Sequence, residues 1–282
     1  MPREIIDLAG GKSGVVLIHG VTGSPFELRY LAKQLNKAGF TVKVPILAGH
    51  EGDIKYLKKT TWQDWYKTIE EVIIELDKSC NEIFVGGLCA GALLSLHAAY
   101  KCGPIVKAVA AMSTTIKHNG WGIPWYGKIT TFLNNNTPLR YFMSFPDTEA
   151  CGIKHERLSR IVTKGLKDNS IAYYSMPGVT MYQINKLSKV VVSELSEIIT
   201  PTIILHSIED DIATIKNVDI LEGNLASKII HKVILDDSYH VITMDNQRDI
   251  VAKEIIAFFK NFIQQRNVSN VINKAVGITP LN

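Results

Sequence analysis

Short, wholly apolar runs alternate along this chain with segments of helical period, and that alternation leaves few folds open. Val15-Val16-Leu17-Ile18 has no polar face. Such a strand belongs in a sheet covered by helices on both sides. Residues 40–46, 82–85, 106–112, 202–205 and 231–235 read as further strands. Between them, Leu28, Leu31 and Leu35 fall on one helical face, with Gly39 as the stop. Trp62, Trp65, Ile69, Val72, Ile73 and Leu76 form another helical face, and residues 90–100 a third helix. In the last helix Ile250, Val251, Ile255, Phe258, Phe259 and Phe262 should point inward. Short connections between strands and helices give an α/β fold with a mostly parallel central sheet.

One stretch breaks the rhythm. Residues 117–180 hold four prolines, Asn134-Asn135-Asn136 and many aromatics, which is too long for a connecting loop in a compact domain. It reads as an inserted cap (lid), so the core comprises residues 1–116 and 181–282. Ser24-Pro25-Phe26-Glu27 reads as a helix start, with serine as cap and glutamate closing a capping box.

The strongest motif is Gly87-Leu88-Cys89-Ala90-Gly91, set between a strand and a helix. It has the G-x-S-x-G pattern with cysteine in the serine position. Glycines two residues either side let backbone approach closely at a strained turn, and the turn lifts the sulfur above the sheet edge. Leu17-Ile18-His19-Gly20-Val21-Thr22-Gly23 ends the first apolar strand. The N–H groups of Val21 and Ala90 are the expected oxyanion hole, and His19 is expected to brace this loop. Asp210 follows the strand at 202–205, and His240 follows the strand ending at Leu235. Both fall past carboxyl ends of strands, where open parallel sheets bind ligands. The order nucleophile, acid, histidine is that of α/β-hydrolases.

The chain resembles the small bacterial carboxylesterases and monoacylglycerol lipases over nearly its whole length outside the cap. The resemblance is carried by VLIHGVTGSP from Val16, PILAGHEG from Pro45, Trp62 to Trp65, Pro201 to Asp210, and HVITMD from His240. It implies an α/β-hydrolase fold with Cys89, Asp210 and His240 as catalytic residues. Asp211 is the nearest rival for the acid, while Asp236 and Asp237 read as loop residues. The family's nucleophile is serine. Cysteine also occupies this box in dienelactone hydrolases and polyhydroxyalkanoate synthases, which the rest of the chain does not resemble closely.

A thiolate is favoured beside an imidazolium and at a helix N-terminus, and attack through sulfur gives a thioester acyl-enzyme. The expected function is hydrolysis of a carboxylic ester, thioester or lactone. The alternatives are transfer or cyclisation of the acyl group onto a nucleophile other than water, and a non-catalytic descendant. Trp121, Trp125, Tyr126 and Phe142 are the expected acyl-binding residues of the cap. The partner is a small-molecule acyl substrate, with a coenzyme A or carrier-protein thioester as one form of it. The mild net charge of +4, with no basic stripe interleaved with aromatics, gives no support for nucleic acid. No cofactor is expected. Lys12 lacks the upstream glycine spacing of a P-loop, and the eight histidines show no metal-ligand pairing. The four cysteines form no C-x-x-C pair, and all but Cys89 read as small buried hydrophobes. With no signal sequence or membrane-length apolar run, the expected location is the cytoplasm.

Overall fold

The computed structural model describes residues 3–146, 152–167, 172–173 and 175–276. Its strands are β1 (Ile6–Leu8), β2 (Ser13–Ile18), β3 (Thr41–Val44), β4 (Glu82–Leu88), β5 (Val106–Met112), β6 (Ser144–Pro146), β7 (Ser175–Pro177), β8 (Thr202–Ser207) and β9 (Ile230–Leu235). Its α-helices are α1 (Arg29–Lys37), α2 (Ile54–Leu57), α3 (Trp62–Asp77), α4 (Ala90–Cys102), α5 (Gly127–Asn136), α6 (Glu156–Lys167), α7 (Gly178–Glu194), α8 (Lys216–Asn224) and α9 (Arg248–Val276).

Seven strands form one sheet in the order β1-β3-β2-β4-β5-β8-β9. Every pairing is parallel except β1 with β3. The two-residue period of a strand splits its side chains between two cores. Val15 and Leu17 join Leu31, Leu35, Val251, Ile255 and Phe259 beneath α1 and α9. Val16 and Ile18 face the opposite way, with Trp65, Ile69, Leu93, Ile184 and Leu187 from α3, α4 and α7. Burying each such side chain stabilises the fold by roughly 1.5–3 kcal/mol, so the apolar runs fix both the sheet and its two helical layers. The inward face of α9 differs from expectation at one place: Ile250 is 42% exposed, while Val251 on the neighbouring face is fully buried.

The entry to α1 also departs from the expected capping box. Ser24 Oγ accepts from Phe26 N at 3.4 Å, and a 3₁₀ turn (Pro25–Leu28) precedes the helix. The Glu27 carboxylate turns the other way and accepts the Gly20 N–H at 3.0 Å. It lies where a Cβ on Gly23 would stand, so glycine at 23 makes this inward route open. The reciprocal capping box occurs instead at α3, between Thr61 and Asp64.

Residues 117–180 contribute α5, α6 and the antiparallel pair β6–β7. The boundary expected at 180 falls inside α7, which carries the chain from the insertion into the helical layer beside α4. Cys80, Cys89 and Cys102 are free thiols, and Cys151 lies outside the described residues. None of the described helices is long and apolar enough to cross a membrane.

Candidate active site

Cys89 stands between β4 and α4 with φ 58° and ψ −118°, a left-handed conformation that non-glycine residues adopt at a cost. Glycine packing holds the turn. A Cβ on Gly87 would lie 2.1 Å from the Gly91 carbonyl oxygen, and one on Gly91 would lie 2.2 Å from that of Ile18. Both contacts are with backbone, so neither position has room for a side chain. The Cys89 N–H donates to Met112 O at 2.9 Å, tying the elbow to β5. Its Sγ rests 3.5 Å from Thr115 Oγ1.

His240 comes from the loop after β9 and Asp210 from the loop after β8. His240 Nδ1 is 3.0 and 2.8 Å from the two Asp210 carboxylate oxygens. The Asp210 Oδ1 also accepts the Ile212 and Ala213 N–H groups at 2.9 and 2.8 Å. Asp211 plays a different part, accepting the backbone N–H of His240 at 3.3 Å. Burial opposes ionisation of Asp210, yet the facing imidazole and its hydrogen bonds hold the carboxyl below its ordinary range. Burial likewise works against a charged His240, but Asp210 and then Cys89 raise it well above the ordinary imidazole value. Asp211, beside a second carboxylate and buried, is raised. Among the described residues, His240 Nε2 meets no geometric hydrogen-bond partner. The Cys89 thiol is an interacting neighbour of this ring, and its Sγ also meets Thr115 Oγ1.

Two further groups shape this edge, neither of them among the expected site residues. Asp245 accepts from the backbone N–H groups of Tyr239, Lys154, His155 and Asn246 at 2.7–2.9 Å. It ties the His240 loop to residues 154–155 of the insertion. It closes the HVITMD segment three residues before the final helix, and that place is the signal that could have found it. His118 follows β5 and lines the same cavity as Cys89 and His240. Burial and the neighbouring His240 push its pKa down to about 4.

On the other side, Val21 lines the cavity and Ala90 is the first residue of α4, fully buried behind it. His19 Nδ1 donates to Gly20 O at 2.7 Å and its Nε2 accepts from Leu47 N at 3.2 Å. Those partners select the neutral tautomer, and burial keeps His19 well below the ordinary imidazole value. His50 faces the carbonyl oxygens of Ala48 and Val21, and burial lowers its pKa to about 4. The unfolded chain therefore takes up the His50 proton near pH 6.5 and the folded chain only near 4. Stability present above pH 6.5 is lost as pH falls toward 4. Urea midpoints measured from pH 7 to 4.5 are expected to fall, and less steeply in a His50→Gln variant.

The cavity has a volume of about 930 Å³. Four of the chain's six methionines line it: Met143, Met176, Met181 and Met244. Flexible thioethers make an adaptable apolar wall. The insertion supplies Ile123, Pro124, Tyr126 and Phe145 to the same wall. Of the four cap aromatics expected in it, only Tyr126 is there. Trp121 turns outward, donating its indole N–H to Glu209 O at 3.0 Å and stacking edge-on to Tyr239. Trp125 and Phe142 are 88% and 87% exposed. Residues 117–180 turn Ile123, Pro124, Tyr126, Met143, Phe145 and Met176 to the cavity and leave those three aromatics largely exposed.

The model of the serine aminopeptidase S33 family matches residues 11–247. A thermostable monoacylglycerol lipase of Bacillus sp. (strain H-257) is 31% identical over 88% of this chain and 91% of its own. The carboxylesterase of Bacillus subtilis (strain 168) is 21% identical over 89% of this chain and 94% of its own. Among solved structures, the Paleococcus ferrophilus monoacylglycerol lipase superposes with TM-score 0.75 at 19% identity, covering 93% of this chain and all of that one. With a family model spanning most of its length and a lipase relative above 30% identity, the chain belongs to the serine aminopeptidase S33 family and has the α/β-hydrolase fold.

Proposed function

We propose that the protein is an acyl-group hydrolase that cleaves a carboxylic ester, thioester or lactone through Cys89, His240 and Asp210. The observation that carries this reading is the arrangement of His240. One ring nitrogen is held by both Asp210 oxygens, and the other, without a hydrogen-bond partner among the described residues, belongs to a ring that lines the same cavity as Cys89. Family membership supports the reading from a second direction, since relatives include a monoacylglycerol lipase and a carboxylesterase.

In this mechanism the Cys89 thiolate attacks the carbonyl carbon, forming a C–S bond as the carbonyl π pair moves onto oxygen. The Val21 and Ala90 N–H groups receive that oxyanion, and losing one such donor typically costs about 3–4 kcal/mol of barrier. The intermediate collapses, the bond to the leaving oxygen or sulfur breaks, and the His240 imidazolium gives that atom its proton. Water then attacks the thioester while His240 takes a proton from it, and collapse of the second oxyanion returns acid and thiolate. Asp210 keeps Nδ1 protonated throughout and supports the charge on the ring.

The apolar, cap-walled cavity favours a second reading, in which another nucleophile takes the acyl group because water is excluded. The test is product analysis with a panel of acyl esters and thioesters, with and without added alcohols and amines. Free acid as the main product in every case supports hydrolysis. Ester or amide formed in preference to acid at modest acceptor concentration supports transfer. Iodoacetamide should alkylate Cys89 much faster than Cys102, whose thiol burial pushes up. Equal slow alkylation of both would remove Cys89 from the mechanism.

A further inference from the structure

His118 is a titratable group lining this cavity that the proposed mechanism does not use. Its ring makes no hydrogen bond among the described residues, although the residues on either side are firmly held. The Lys117 N–H donates to Asn217 Oδ1 at 2.8 Å. The Asn119 and Gly120 N–H groups both donate to Ile212 O, at 3.1 and 2.9 Å. Asn119 Oδ1 in turn accepts from Thr214 N at 2.9 Å and Asn217 Nδ2 at 3.1 Å. The imidazole therefore stands on a fixed platform, within electrostatic reach of His240 and Asp210. Gly122, Ile123 and Ile212 line the same cavity.

We infer that His118 is a specificity-determining residue that hydrogen-bonds an oxygen on the acyl group, so that the site prefers hydroxy- or oxo-acyl substrates to plain alkyl ones. The inference rests on the hydrolase reading above and adds the substrate class to it. A neutral imidazole offers one donor and one acceptor. A plain acyl chain filling the cavity would cover the ring and satisfy neither, and leaving a buried polar group unpaired is costly. An acyl chain bearing a hydroxyl or carbonyl oxygen a few bonds from the reacting carbonyl would supply a partner without moving the backbone. Sites built to bond a substrate oxygen discriminate strongly against analogues that lack it, whereas apolar pockets discriminate weakly between chains of similar size.

The test compares matched esters with one leaving group, octanoyl against 3-hydroxyoctanoyl and 3-oxooctanoyl. The wild-type protein should show kcat/KM higher for an oxygenated chain by about tenfold or more. In His118→Leu the ratio should collapse to near one, and in His118→Gln part of it should return. Retained melting temperature and rapid iodoacetamide alkylation of Cys89 show that each variant keeps the site intact. The same esters titrated calorimetrically into Cys89→Ala should bind with the same order of preference, a readout that needs no turnover. Cys89-dependent hydrolysis without preference, or a preference that survives in both His118 variants, overturns the assignment and leaves the hydrolase reading standing. Hydrolysis undiminished in Cys89→Ala would instead overturn the mechanism, while the binding preference would still read His118.

Discussion

Cys89→Ala is expected to lower kcat by roughly 10⁶-fold on any ester the wild type cleaves, the scale seen when the nucleophile of such a triad is removed. Alanine keeps the backbone of the elbow feasible, because it carries no more at Cβ than cysteine does, and the cost of φ 58° is already borne by the native residue. Stability should change little. Cys89→Ser is the more discriminating variant. Serine needs general-base help that a thiolate does not, and His240 Nε2 is free to give it, with no hydrogen-bond partner among the described residues. A hydrolytic site should retain measurable esterase activity with serine. A site adapted to transfer through a thioester should lose its transfer reaction, because the oxygen ester is a poorer acyl donor.

Asp210→Asn is expected to cost between about 10² and 10⁴ in kcat, the upper figure being that of the corresponding change in a serine triad. The asparagine keeps the shape and the Ile212 and Ala213 contacts but removes the charge that raises His240. The sign follows directly: without that charge the imidazolium loses its proton at lower pH, so the alkaline limb of kcat/KM should shift downward. Asp211→Asn should cost less than about tenfold, because Asp211 meets the backbone N–H of His240 and not its ring. A pH–rate comparison of the two variants separates the roles. Equal losses with unshifted limbs in both would make Asp210 no more than a loop acceptor.

The layers of the fold were legible because each central strand is apolar on both faces. Only a sheet sandwiched by helices buries such runs, and Val15 to Ile18 divide between two cores accordingly. The antiparallel edge strand Ile6–Leu8 escaped notice, since three residues at a sheet edge carry too little alternation to stand out. The elbow was legible through its glycines, whose missing side chains are required by backbone contacts near 2 Å. Glu27 misled because a capping box and an inward hydrogen bond to Gly20 use the same residue type at the same spacing. The cap aromatics misled for another reason: aromatic density along a segment cannot tell a cavity wall from an exposed face. His118 sits alone in a loop of Lys, Asn and Gly without motif spacing. Its place just past the carboxyl end of β5, on the edge that also holds Asp210 and His240, was the signal available.

The most direct measurement is intact mass after brief exposure to an activated acyl ester, with peptide mapping of the adduct. A thioester on Cys89 predicts one added acyl group, located on the peptide containing Gly87 to Gly91, released by hydroxylamine and absent from Cys89→Ala. An acyl group mapped to another side chain, or turnover with an unmodified Cys89 under conditions that trap the intermediate in His240→Ala, would contradict the account.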